Sequence, residues 1–169
     1  GLRRLSVGFV LLIVAAAILL SSDLRSRRVS SSNANGGAPA VRRVALVQHA
    51  SIKALEDGRN GTLEQLAKRG YVDKEKVIIK EFNAEGDIGT ANAIAKEVTS
   101  GEYDLIISIS TPSLQSVASA NKSSNQVNHV FGLVTDPYAA GVGIDPNDHL
   151  KHPPYLTGFG SMQPVESMF

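Results

Sequence analysis

Short β-branched runs alternate with segments of helical spacing along most of the chain. The runs are typical of buried strands, and they are Val44–Val47, Val77–Phe82, Leu105–Ile109 and Val130–Val134. Between them, apolar residues recur at three- and four-residue steps, at Leu63, Leu66 and Ala67, at Ile88, Ala91, Ala95 and Val98, and at Leu114, Val117 and Ala118. Strands separated by single helices predict an α/β fold, a parallel sheet flanked by helices.

Three of the predicted strands end in polar residues. These are Gln48 and His49 after the first strand, Ser110 and Thr111 after the third, and Thr135 and Asp136 after the fourth. Because the carboxyl ends of parallel strands meet at one edge of a sheet, and open α/β sheets bind ligands there, these six residues are candidates for ligand binding. The pattern indicates a pocket for a small molecule, built from loops.

The third strand runs straight into a predicted helix start at Thr111-Pro112. Proline is common in the first turn of a helix, and a helix N-terminus offers a row of free N–H groups to an anion. Ser110 and Thr111 could therefore hold a carboxylate through hydroxyl and N–H donors. The alternative is that Thr111 serves only as the N-cap, although an N-cap can also face a cleft.

Other polar and aromatic residues near these strand ends have two interpretations each. Asp136 could pair with an ammonium group, or could form an Asx turn before Pro137. His49 is either a ligand contact or a polar loop residue. Tyr138 and Phe159 could offer aromatic surface to a ligand, or could pack against the protein itself.

The motifs of the commonest α/β enzymes are missing from the sequence. Gln48-His49-Ala50-Ser51 follows the first strand in place of the glycine-rich turn of a dinucleotide site, and neither a P-loop nor a nucleophile elbow occurs. The four histidines are scattered without metal-ligand spacing, and the chain has no cysteine. We therefore expect no enzyme activity, no cofactor and no metal site.

Charge divides the chain into two parts. Residues 1–42 carry a net charge of +5 and residues 43–169 a net charge of −4. The basic excess flanks an apolar segment instead of forming a basic face with interleaved aromatic residues, so nucleic acid is not an expected partner.

The apolar segment Val7–Leu20 follows Arg3 and Arg4. It is either a cleavable signal or an uncleaved anchor. A cleavable signal has small residues just after its apolar core, but Ala15–Ala17 lies inside the core, so we expect residues 1–28 to form an uncleaved anchor. Residues 29–42 are mostly small and uncharged, as in a flexible linker. We expect the remainder of the chain to be extracytoplasmic, in the periplasm, and tethered to the membrane.

Several motifs, taken together in order, carry a resemblance to a known family. They are Val44–His49, Gly70-Tyr71, Asn83–Asp87, Tyr103–Ile107, Ser110–Ser113, Val134–Pro137 and Leu156–Gly158. From about Arg43 to Phe169 the chain resembles the extracytoplasmic substrate-binding proteins of ABC transporters. More narrowly, it is similar to the branch associated with tryptophan and tyrosine uptake.

The resemblance implies a fold of the type I periplasmic-binding-protein kind, in which two α/β lobes close over a ligand. Residues 43–156 would form the first lobe, and residues 157–169 the hinge crossover and the start of a second lobe, so the sequence is expected to be an N-terminal fragment. The implied partners are a small amino-acid-like ligand and an ABC permease in the membrane.

Two functional hypotheses remain open at this point. The first is the solute-binding component of an ABC transporter. Its ligand would be a small solute, expected to be an amino acid, and an aromatic amino acid is one candidate. The alternative is the ligand-sensing ectodomain of a membrane-bound signalling protein. Sequence beyond Phe169 distinguishes the two, because a kinase or cyclase sequence would decide for signalling.

Overall fold

A parallel sheet of five strands forms the centre of the fold. The computed structural model describes residues 41–161. Along the chain its elements are β1 (Arg42–Gln48), α1 (Lys53–Lys68), β2 (Val77–Asn83), α2 (Ile88–Val98), β3 (Leu105–Ile109), α3 (Thr111–Lys122), β4 (Asn128–Val134) and β5 (Leu156–Gly160). The strand order is β2-β1-β3-β4-β5, and every neighbouring pair is parallel. The predicted α/β fold with a parallel sheet and flanking helices is confirmed.

The strand order reverses direction at β1. The chain moves outward from β1 to β2, returns to β3 on the other side of β1, and then continues outward through β4 and β5. In open α/β sheets the crevice at such a reversal, outside the carboxyl ends of the strands, is the place where ligands bind. Here that crevice lies between the ends of β1 and β3.

The core is divided between the two faces of the sheet, because successive strand residues point to opposite sides. One face packs under α2 and α3 and contains Ala45, Val47, Ala95, Val98, Ile106 and Val117. The other face packs under α1 and contains Leu46, Leu55 and Ile109. Ile88, predicted to lie on the apolar stripe of α2, is instead 72% exposed because it is the first residue of the helix.

β5 extends the sheet beyond the predicted strands. Its residues pair with β4, and Gly158 permits the close approach, since a β-carbon there would overlap the carbonyl oxygen of Phe131. The expected boundary between residues 156 and 157 therefore falls inside β5. The hinge crossover predicted for residues 157–169 stays a prediction.

A buried histidine lies far from the carboxyl edge of the sheet. His129, near the start of β4, is 1% exposed, and its Nε2 is 2.7 Å from the hydroxyl oxygen of Ser108. Burial lowers the pKa of His129 to about 4, because the charged imidazolium loses its hydration there. The imidazole is therefore neutral at neutral pH and belongs to the core.

The membrane segment expected at residues 1–28 lies outside the described residues, as does nearly all of the expected linker. Within residues 41–161, none of the helices combines the length and the apolar character that a bilayer crossing needs.

Candidate ligand-binding site

The strand register brings three of the predicted strand ends side by side. Gln48 at the end of β1 pairs with Ile109 at the end of β3, and Ile109 in turn pairs with Gly132 of β4. The N–H of Ser110 continues this contact by donating to the Gly132 carbonyl oxygen at 3.2 Å. The loops that follow β1, β3 and β4 therefore meet at one edge, as the sequence predicts.

The N-cap of α3 is Ser110, and not Thr111. The Ser110 hydroxyl oxygen accepts from the N–H of Ser113 at 3.4 Å, and Thr111 is the first residue of the helix, with Pro112 second. Ser110 has φ 101° and ψ 157°, a backbone conformation that is otherwise almost confined to glycine. This conformation turns the chain sharply from β3 into the helix, which sequence spacing alone does not reveal.

The capping arrangement reduces the expected row of free N–H groups at the start of α3. Pro112 has no N–H, and the N–H groups of Ser113 and Leu114 donate to Ser110. The remaining donors of this turn are the N–H and the hydroxyl of Thr111. The Thr111 oxygen also accepts from the N–H of Thr135 at 3.4 Å, which joins the loops after β3 and β4 and leaves the hydroxyl proton for another acceptor.

Asp136 forms an Asx turn before Pro137, the alternative to pairing with an ammonium group. Its Oδ1 accepts from the N–H groups of Tyr138, at 2.9 Å, and Ala139, at 3.1 Å. One carboxylate oxygen is thus committed to the backbone of the β4–β5 loop. Asp136 lies beside Thr135 at the edge, but its hydrogen bonds are those of an Asx turn.

Gln48 is a buried amide with one incomplete end. The side chain is 3% exposed, and its Nε2 donates to the carbonyl oxygen of Ala50 at 3.4 Å. This contact fixes the orientation of the amide, because a carbonyl oxygen requires a donor. Oε1 is buried and has no hydrogen-bond partner among the described residues. An unpaired buried acceptor of this kind is uncommon in folded proteins.

The backbone of His49 contacts the loop after β2, which was not among the expected parts of the site. The His49 carbonyl oxygen accepts from the N–H of Gly86 at 2.8 Å, while its Nδ1 is buried and unpaired within the part of the chain that the structure describes. The hydrogen bonds of Gln48 and His49 therefore connect them to the β2 side of the edge, and those of Thr111 connect it to the β4 side.

A chain of side-chain hydrogen bonds links the loops after β1 and β2. Asn83 Nδ2 donates to Ser51 Oγ at 2.8 Å, and Ser51 Oγ donates to Glu85 Oε1 at 3.0 Å. Glu85 has φ 48° and is exposed. In the sequence, Asn83 directly follows a β-branched run, as the polar residues at the other strand ends do, whereas Glu85 lies two residues further on.

The loops at this edge carry negative side chains. Glu85 and Asp136 lie in them, and Asp87 caps α2 by accepting from the N–H of Thr90 at 2.6 Å, a bond that lowers the pKa of Asp87. Lys53, at the start of α1, is paired with Asp57 at 3.0 Å. A cationic ligand group is favoured at the Glu85 side of such an edge, and an anionic group at the start of α3.

The two aromatic candidates near the strand ends are both exposed. Tyr138 is 43% and Phe159 is 64% exposed. Phe159 lies over Gly132, since a β-carbon on Gly132 would come within 3.1 Å of Phe159 Cζ. Neither ring is packed into the core of the described residues.

Comparison with known proteins identifies the family. A family model described as ABC transporter substrate binding protein matches residues 43–168, and the chain belongs to this family. The family predicted from the motifs is confirmed. Its members are solute-binding proteins that act outside the cytoplasm.

Two relatives come from Clostridioides difficile, which is also named Clostridium difficile. A tyrosine-binding protein of Clostridioides difficile (strain R20291) is 36% identical over 97 residues, which are 57% of this chain and 26% of that protein. A ligand-free, open substrate-binding protein with adhesive properties from Clostridium difficile has a TM-score of 0.66 and 30% identity, over 75% of this chain and 41% of that one.

A third relative was solved with an aromatic amino acid. It is an ABC domain from Streptococcus pneumoniae in complex with L-Trp, with a TM-score of 0.66 and 26% identity, over 76% of this chain and 41% of that one. The present chain thus spans less than half the length of each of these relatives. Its described residues correspond to one lobe of a periplasmic-binding-protein fold.

Proposed function

We propose that this protein is the solute-binding component of an ABC transporter and that its ligand is an amino acid with an aromatic side chain. The observation that carries the proposal is the carboxyl edge of the sheet. There, the donors of Thr111 lie across the strand reversal from an unpaired acceptor on Gln48 and the exposed carboxylate of Glu85. The tyrosine-binding and tryptophan-bound relatives support the ligand class.

In this proposal the ligand carboxylate binds at the start of α3. The N–H and hydroxyl of Thr111 donate to it, and the field of the helix N-terminus favours its negative charge. Ser110 holds the turn that presents Thr111, and Thr135 positions the Thr111 hydroxyl through its N–H. Gln48 and His49 form the floor of the site on β1, and Asp136 shapes its β4 side.

We further infer that the ligand is enclosed between two lobes, with residues 157–169 crossing to the second. Closure of two domains around a ligand converts weak contacts from each lobe into one buried site. Residues 1–28 would tether the protein to the membrane through the linker of residues 29–42. The receptor would then stay close to its ABC permease.

A thermal-shift screen of the full-length protein against the amino acids and small carboxylates tests this function. A ligand that binds only the folded state stabilises it by about 2.7 kcal/mol at a hundred times its dissociation constant. We expect tyrosine, tryptophan or phenylalanine to raise the midpoint. If aliphatic or charged amino acids shift it and the aromatic ones do not, the proposed ligand class is wrong.

A further inference from the structure

The motif Asn83–Asp87 contributes none of the six candidate residues predicted from the sequence, although the structure places it at the same carboxyl edge of the sheet. Two of its side chains, those of Asn83 and Glu85, join Ser51 in one hydrogen-bonded chain. The direction of donation runs from the Asn83 amide through the Ser51 hydroxyl to the Glu85 carboxylate. The chain therefore ends on a group that can only accept.

A second acceptor lies at the base of the same loops. Gln48 is 3% exposed, and its Nε2 reaches the loop after β1 by donating to the Ala50 carbonyl oxygen. The carboxamide oxygen is attached to the same carbon, so it lies at this loop as well. It is buried without a donor from residues 41–161. Gln48 is also tied to the β2 loop, since its carbonyl oxygen accepts from the N–H of Ala84 at 3.1 Å.

The Glu85 carboxylate and the unpaired Gln48 oxygen are independent observations, and both favour the same kind of ligand group. An unpaired buried oxygen needs a hydrogen-bond donor, and an exposed carboxylate with about three more acceptor positions favours a cation. A primary ammonium group meets both needs, because it offers three donors and a positive charge. A carboxylate or phosphate would be repelled from this side of the edge.

We propose that Gln48 and Glu85, supported by Ser51 and Asn83, form the binding site for the ammonium group of the ligand. This inference rests on the proposed function, and it assigns the two ends of an amino acid to opposite sides of the strand reversal. The ammonium group binds between the loops after β1 and β2, and the carboxylate binds at Thr111. Asp136, which the sequence offered for the ammonium group, uses its Oδ1 for its own turn.

The test compares three ligands on the full-length protein by isothermal titration calorimetry. Tyrosine has both charged groups, desaminotyrosine lacks the ammonium group, and tyramine lacks the carboxylate. Glu85→Gln keeps an acceptor for Ser51 and removes the negative charge. We expect it to weaken tyrosine and tyramine about tenfold or more, as loss of a charge-assisted hydrogen bond does, and to leave desaminotyrosine unchanged.

Two further variants make the comparison specific. Glu102→Gln carries the same chemical change at the opposite end of the sheet, where Glu102 is 3.5 Å from Arg43, and it is expected to bind tyrosine as the unchanged protein does. Asp136→Asn removes a charge at the β4 side and tests the competing assignment of the ammonium group to that loop. If Asp136→Asn weakens tyrosine and Glu85→Gln does not, the ammonium site is assigned to the wrong loop.

The outcomes also separate this inference from the proposed function. If the unchanged protein binds tyrosine or another aromatic amino acid and Glu85→Gln binds it equally well, the ammonium site is overturned and the proposed function stands. If the unchanged protein binds no amino acid, both fall together. A uniform loss of all three ligands in Glu85→Gln, with a lowered unfolding midpoint, would show a structural role and would also overturn the assignment.

Discussion

Gly58 of α1 lies directly against the side chain of Leu133 in β4. A β-carbon on Gly58 would overlap Leu133 Cδ1, and Leu133 itself has φ 52° at the point where the register between β4 and β5 shifts. The contact lets α1 approach the sheet closely, two residues before Thr135. The absence of a side chain at Gly58 thus positions the β4 end of the candidate site.

Gly58 and Gly61 lie in the same helix, but only Gly58 contacts Leu133, so we expect alanine substitution to have opposite effects on stability at the two positions. Gly58→Ala should destabilise the protein by about 1–3 kcal/mol, as inserting a methyl group into a packed contact does. At Gly61 a β-carbon would meet no other atom within 4 Å, so Gly61→Ala should stabilise the helix by about 0.5–1 kcal/mol. Urea unfolding measures both. Equal stabilisation by the two substitutions would show that the Leu133 contact imposes no constraint.

Ser110 combines a helix cap with an unfavourable backbone conformation, and two substitutions separate these effects. Ser110→Ala removes the cap and retains the strain, so we expect a loss of about 1 kcal/mol. Ser110→Gly also removes the cap, but it relieves a backbone strain of about 1–3 kcal/mol and should unfold no earlier than the unchanged protein. The thermal unfolding midpoints of the two variants, compared with that of the unchanged protein, measure these effects. A glycine variant as unstable as the alanine variant would contradict the strain argument.

His129 makes the stability of this lobe depend on pH. Its pKa is about 4 in the folded protein and 6.5 for the ordinary side chain, so folding favours the neutral form. The stabilisation is complete above pH 6.5 and is lost as the pH falls towards 4. The expected loss is about 2 kcal/mol at pH 5 relative to pH 7.

Unfolding by urea at pH 7 and pH 5 measures this loss. His129→Gln replaces the titrating group by a neutral one that can still bond to Ser108, so its stability should change less between the two values. His149→Gln, in the β4–β5 loop, is the matched control and should retain the full dependence. A pH dependence that is the same in all three proteins would exclude His129 as its source.

Thr111 is expected to bind the carboxylate end of the ligand. Thr111→Val keeps the shape of the side chain but removes the hydroxyl, so tyrosine and desaminotyrosine should bind about tenfold more weakly. Tyramine, which has no carboxylate, should bind as before. Thr111→Ser retains the hydroxyl and should restore the affinity. Calorimetric titration checks this, and an equal loss for tyramine would place the carboxylate elsewhere.

The elements with strong local patterns were predictable from the sequence, and those that depend on tertiary contacts were not. β3 is marked by its isoleucines, and the polar residues after it fall at the sheet edge as expected. β5 escaped prediction because Leu156–Gly160 has two glycines, and four of its five residues are not buried. Its place in the sheet comes from pairing with β4, which local sequence does not encode.

The grouping of the candidate residues was predictable, but their contacts were only partly so. Polar residues at strand ends were expected to meet at one edge, because parallel strands bring their carboxyl ends together, and their role in ligand binding stays a prediction. The cap at Ser110 was not predictable, since its φ of 101° is a conformation that the residue type disfavours. Glu85 was not among the candidates, because the role proposed for it depends on the hydrogen bond from Ser51, 34 residues earlier in the chain.

Calorimetric titration of the full-length protein with tyrosine, tryptophan and phenylalanine tests the central claim most directly. The account predicts saturable binding of at least one of them, and no binding of glutamate, whose second carboxylate would have to be buried in the cleft. Absence of heat and of any thermal stabilisation with all three aromatic amino acids would contradict the claim that this lobe belongs to an aromatic amino acid receptor.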